Sequence, residues 1–153
     1  MHVIASKSKI ARFSGTRVER DFVEAPSQML ENWCWEKESL NMMSKHYATG
    51  EPLPDDLIAN LARSKKANAG VFNLRQLTFG RFDQALHGTG AGEKVPDCQE
   101  LFAKTILETL KIPATEGTCM PASFGHLMGG YDASYYGYMW AEGECSTSQL
   151  CKW

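Results

Sequence analysis

The sequence has no long apolar run, no C-x-x-C pair, no internal repeat and no sustained alternation of apolar and polar residues. Each absence closes off a class. Without about 20 consecutive apolar residues, no stretch reads as a transmembrane helix, and the first residues lack the apolar core of a secretory signal. The five cysteines (Cys34, Cys98, Cys119, Cys145, Cys151) are an odd number, and the spacing of Cys145 and Cys151 matches no zinc knuckle. A disulfide framework is therefore not expected, and reduced thiols place the chain in the cytoplasm or in an organelle such as the mitochondrion. Charge of one sign is also scarce. The net charge is −2, which gives no general attraction to nucleic acid or to an anionic membrane. A local basic run (Lys7, Lys9, Arg12, Arg17, Arg20) has Glu19, Asp21 and Glu24 beside it, the pattern of a solvated face.

What is present is helical periodicity. At 153 residues the chain is one domain in length, enough for a sizeable core. Residues 21–33 read as a helix whose stripe is Phe22, Pro26, Met29 and Trp33. Pro26 fits only in the first turn or at a kink, so Glu24 is expected at an irregular helix start. A second helix spans 37–48, with Leu40, Met43 and Tyr47 inward. The third opens at Pro54, with acids in its first turn and Arg63, Lys65 and Lys66 in its last, as the helix dipole favours. Residues 69–86 are apolar on several sides, which implies burial among neighbours. Asp97 with Glu100 forms a capping box for the next helix. Residues 111–121 connect to the last. The fold class is all-α.

The most informative stretch is Pro121 to Trp140. There Gly125, Gly129, Gly130 and Gly137 interleave with Tyr131, Tyr135, Tyr136, Tyr138 and His126. If the chain is helical from Tyr131 onward, Tyr131, Tyr135 and Tyr138 fall at i, i+4 and i+7 on one face. Three phenols beside a Gly-Gly pair suit a surface that closes over a polar chain. The same spacing also suits core packing, so residue types alone leave both readings open.

Two long motifs decide between them by resemblance. Phe13-Ser-Gly-Thr with Val18 to Trp33, and Phe124-Gly-His-Leu-Met-Gly-Gly-Tyr-Asp-Ala-Ser-Tyr-Tyr-Gly-Tyr138, resemble the thimet oligopeptidase and neurolysin family of zinc metallopeptidases. Asn73-Leu-Arg-Gln and Phe82-Asp-Gln-Ala-Leu-His87 are similar to it as well. The resemblance implies a zinc-dependent oligopeptidase that hydrolyses short peptides. It implies one Zn²⁺ held by two histidines of an H-E-x-x-H helix and by a later glutamate, which Glu24 matches. Three protein ligands leave a position for water, whose proton the motif's glutamate removes. The other reading of Glu24 is a carboxylate solvated at a helix start. His126, Tyr131, Tyr135 and Tyr138 match the family's substrate-contacting residues, and Tyr138, then Tyr131, is the expected hydrogen-bond donor to the developing oxyanion. Short peptides are the expected partners, with no nucleic acid, membrane or obligate protein partner.

Two departures qualify what is carried over. H-E-x-x-H is absent, and in the family it lies just before the point where this sequence begins, with His2 at a later, non-ligand histidine. After Glu142 the family pattern is lost. Residues 1–142 are therefore expected to be the C-terminal portion of a metallopeptidase catalytic domain, and 143–153 a divergent tail. A single carboxylate cannot make a catalytic zinc site, so no unaided hydrolysis is expected. A catalytically inactive helical module that binds peptides or proteins is the alternative. Helices cut from a larger core are also expected to expose apolar surface beyond a few hundred Å².

Overall fold

Short-range signals set most of the helix boundaries. The computed structural model describes residues 2–88, 90 and 92–147. Its helices are α1 (His2–Ala5), α2 (Ala25–Glu31), α3 (Lys37–Met43), α4 (Asp55–Ser64), α5 (Ala69–His87), α6 (Cys98–Leu110), α7 (Met120–Ser123) and α8 (Gly137–Thr147). Single 3₁₀ turns lie at Ala11–Phe13, Asn32–Trp35 and Gly125–Met128. Among the described residues there is no strand, so the all-α class holds.

Pro26 occupies the first turn of α2, where its missing N–H costs no intrahelical bond, and Glu24 is the residue just before the helix. Asp97 caps α6: its Oδ1 accepts the N–H groups of Gln99 and Glu100, each at 2.9 Å. Asp55 and Asp56 stand in the first turn of α4 and Arg63 in its last.

The architecture rests on two helix pairs, α5 against α6 and α2 against α8. The first pair carries the aromatic core: Phe79 and Phe82 from α5, Phe102 from α6, and Phe124, Leu127 and Tyr135 from the segment beyond α7. Phe82 has no exposed surface, and its ring meets Phe102 edge-on with centroids 5.4 Å apart. The second pair is smaller. Ala25 packs on Ala141 and Cys145, and the Cys145 thiol donates to the Ala25 carbonyl at 3.1 Å.

Three expected faces are placed differently. Helix α3 stops at Met43, and Met43 and Tyr47 are exposed, not inward. The Ser44 hydroxyl turns back to the Leu40 carbonyl and the Thr49 N–H donates to the His46 ring, so a turn replaces the second half of that helix. Phe22 and Trp33 of the α2 stripe are exposed, whereas Val23 and Ala25 are buried. On α5 only Thr78, Phe79, Phe82 and Asp83 are buried, and Val71, Phe72, Leu74 and Leu77 stay open to solvent. Periodicity shows which faces are apolar, and here more apolar face exists than partner to cover it.

Burial therefore ranks the aromatic positions of α5. Phe82→Ala should lower unfolding stability by about 3–5 kcal/mol in urea titration followed by circular dichroism. Phe72→Ala should cost less than about 1 kcal/mol, and equal losses at both positions would contradict the packing described.

Candidate functional site

The tyrosine-rich segment is not a helix until Gly137. Gly130 (φ 86°) and Ala133 (φ 54°) take left-handed conformations, which interrupt a right-handed helix at each point. The expected i, i+4, i+7 stripe is thus replaced by a turn-rich loop, with only Tyr138 inside α8. The three phenols still converge, because tertiary hydrogen bonds hold the loop.

The main anchor is Asp83, fully buried on α5. Its Oδ1 accepts the Ala133 N–H at 3.0 Å and its Oδ2 accepts the Tyr135 N–H at 3.0 Å. His87 Nδ1 lies 2.8 Å from Asp83 Oδ1 and 3.0 Å from the Asp83 carbonyl. Both neighbours are acceptors, so Nδ1 carries the proton. The Gln84 amide donates to the Ala133 carbonyl at 2.7 Å, and the Gln28 amide of α2 donates to the Tyr138 carbonyl at 3.0 Å. At Gly137 a Cβ would stand 3.0 Å from the Asp21 Cα, so a larger residue would press α8 away from the turn before α2.

That close approach brings the two motifs together. The Tyr131 hydroxyl donates to Glu24 Oε1 at 2.5 Å, across 107 residues of sequence. The His2 Nε2–H donates to the Val23 carbonyl at 2.7 Å, tying the first residues to the turn that presents Glu24. The Tyr131 and Tyr138 rings stack at 5.2 Å. His126 stands edge-on to Tyr131, Tyr135 and Tyr138, with centroids 5.5, 5.2 and 5.7 Å away. The Arg20 guanidinium lies 5.0 Å over the Tyr131 ring. Tyr136 points elsewhere, donating to Asp21.

A cleft of about 740 Å³ opens beside this cluster, lined in part by His126, Tyr131 and Tyr135 and by Arg75 and Gln76 of α5. Tyr135 donates to Gln76 Oε1 at 3.0 Å. Glu24 and Tyr138 are not on the lining; they adjoin it through Tyr131, which bonds the one and stacks on the other.

Burial pushes the Tyr138 phenol well above its ordinary value, and the adjoining Tyr131 hydroxyl and the negative charge of Glu24 raise it further. Burial also raises Tyr135, against a smaller opposing pull from Arg75. Phenols that keep their protons are hydrogen-bond donors, not bases.

These residues do not form a zinc site by themselves. Catalytic zinc takes three protein ligands, whereas the described residues contain no cluster of three His, Cys, Asp or Glu side chains. Glu24 Oε1 already accepts the Tyr131 proton. Cys145 bonds the Ala25 carbonyl, and Cys151 lies outside the described residues.

The chain matches the model of peptidase family M3 over residues 1–153. It belongs to that family. Thimet-like oligopeptidase of Dictyostelium discoideum is 42% identical over 144 residues, covering 93% of this chain and 21% of that protein. Oligopeptidase A of Haemophilus influenzae is 43% identical over 136 residues, 88% of this chain and 20% of its own length. Saccharolysin of Saccharomyces cerevisiae is 41% identical, with coverage of 93% and 20%. The chain thus spans about a fifth of the length of the curated relatives it matches.

Asp83 was not singled out from the sequence, although it was visible there as an acid among Phe79, Phe82 and Leu86 on one side of a helix. Arg75 and Gln76 lie in Asn73-Leu-Arg-Gln, where residue type and spacing alone give them no role.

The raised Tyr138 pKa makes stability fall in alkali. The folded chain holds this proton more tightly than the unfolded chain, whose value is near 10.0. The contribution is intact below that pH and is lost as pH rises beyond it. Tyr138→Phe should remove the most alkaline step of the phenolate absorbance titration and flatten the loss of stability above pH 10. Loss instead of a step near the ordinary phenol value of 10.0 would place Tyr138 in solvent.

Proposed function

We propose that this chain is the part of a family M3 oligopeptidase catalytic domain that supplies one carboxylate zinc ligand, Glu24, and the wall on which a short peptide lies. His126, Tyr131 and Tyr135 form that wall from the cleft lining, and Tyr138 joins it through its stacking on Tyr131. The observation that carries the reading is the Tyr131–Glu24 hydrogen bond, which joins the carboxylate to the phenol cluster. On this reading residues 1–142 are the C-terminal portion of the catalytic domain and 143–153 a divergent tail. Residues 148–153 of that tail lie outside the described residues.

The chemistry this chain brings is donation. Tyr138 keeps its proton through the neutral range and is the donor we assign to the developing oxyanion, with Tyr131 second once a peptide draws it off Glu24. Gly130, already in a left-handed conformation, gives the loop a pivot for closing over a peptide. Zinc, bound with ligands beyond those present here, would polarise the peptide carbonyl and activate water. The donor set in this chain does not support that step, and none is assigned to it.

A second reading has its own support, namely the incomplete donor set beside a well-formed cleft. The chain then serves as a non-catalytic helical module that binds peptides or a partner protein. For location, the cytosol, or the mitochondrion as the alternative, agrees with relatives in Arabidopsis thaliana named cytosolic and organellar oligopeptidase A. No helix among the described residues is long and apolar enough to cross a membrane.

The purified chain should bind zinc at well below one equivalent in equilibrium dialysis and give no turnover of a quenched-fluorescence peptide. It should still bind that peptide, and Tyr131→Phe and Tyr138→Phe should each weaken binding. Stoichiometric zinc with turnover would reject the incomplete-site account. Binding indifferent to both tyrosines would reject the assigned wall.

A further inference from the structure

The cleft beside the tyrosine loop has one fully charged group on its lining, and that group lacks a counter-ion. Arg75 projects from α5 with its guanidinium 4.9 Å over the Phe79 ring. Among the described residues it joins no ion pair. Six residues further along the same helix, Arg81 has partners, donating to Thr109 at 2.7 Å and to Glu108 at 3.2 Å. No Asp or Glu lines the cleft. Of the carboxylates that reach lining residues, Glu24 is bonded to Tyr131, and Asp83 is buried on the amides of Ala133 and Tyr135. Gln76 Oε1 is taken by the Tyr135 hydroxyl, which leaves the Gln76 N–H₂ group to donate. The lining therefore offers a planar cationic fork and neutral donors, and no anion.

We propose that Arg75, with the Gln76 amide beside it, is an anchor for a carboxylate of the bound peptide and so sets which peptides this cleft accepts. This rests on the reading of His126, Tyr131 and Tyr135 as a peptide-contacting wall. A guanidinium matches a carboxylate with two parallel N–H···O bonds, a geometry that lysine cannot reproduce. Arg75 is exposed, and the Phe79 ring 4.9 Å from its guanidinium gives the cation a cation–π partner. The carboxylate can be the peptide's C-terminus or an acidic side chain, and both have the same recognising chemistry.

Fluorescence anisotropy on the purified chain separates the possibilities with three N-dansyl pentapeptides. The first has a free C-terminus and no acidic residue, the second is its C-terminal amide, and the third is the amide with one internal glutamate. The free acid or the glutamate peptide should bind about tenfold or more tightly than the plain amide, and which of them does so identifies the source of the carboxylate. Arg75→Gln should abolish the gap, weakening the free acid or the glutamate peptide by about tenfold more than the plain amide. Arg75→Lys should restore only part of it. Tyr131→Phe should weaken all three peptides alike. Equal binding of the three peptides, with Arg75→Gln neutral, would overturn the anchor while leaving the wall intact. Failure of every peptide to bind would overturn the wall, and the anchor with it.

Discussion

A buried carboxylate needs partners on every side, and Asp83 finds them in the backbone of a loop fifty residues away. Its two oxygens take the N–H groups of Ala133 and Tyr135, and the His87 ring closes the set. Leaving any of these unpaired in a dry interior costs more than an average hydrogen bond supplies. The loop is therefore held in one conformation. Once Ala133 and Tyr135 are fixed on α5, Tyr131 has little choice but to face the turn before α2, where Glu24 waits. The tyrosine cluster is thus a consequence of α5 packing: the same helix face carries Phe79 and Phe82 into the core and Asp83 into the loop.

That dependence explains which parts of the structure were legible in the sequence. Local signals read well. Pro26 marked the start of α2, Asp97 capped α6, and the acidic opening of α4 fell where the dipole favours it. The tyrosine segment read wrongly as helix from Tyr131, because its spacing was right but the Ala133 and Tyr135 amides bond outside the segment. A carboxylate from another helix claims amides that would otherwise enter a helical ladder, and Gly130 and Ala133 turn the chain away. Nothing in residues 121–140 reveals this. The signal lay in α5, as an acid on an apolar stripe.

Burial was the least legible property. Met43 and Tyr47 were expected inward and are exposed, as are Phe22, Trp33 and four apolar residues of α5. Periodicity reports that a face is apolar; it cannot report whether anything covers it. The chain spans about a fifth of the length of the relatives it matches, and among its described residues these faces have no partner in the fold. The metal question has the same form, since one carboxylate is a ligand only in the company of others.

Amide hydrogen exchange at Ala133 and Tyr135 tests the central claim most directly. With Asp83 holding both groups, the two amides should exchange slowly and at similar rates. In Asp83→Asn both should accelerate together, while the amides of α4 remain as they were. Exchange of Ala133 and Tyr135 at the rate of an open loop in the unaltered chain would contradict the account.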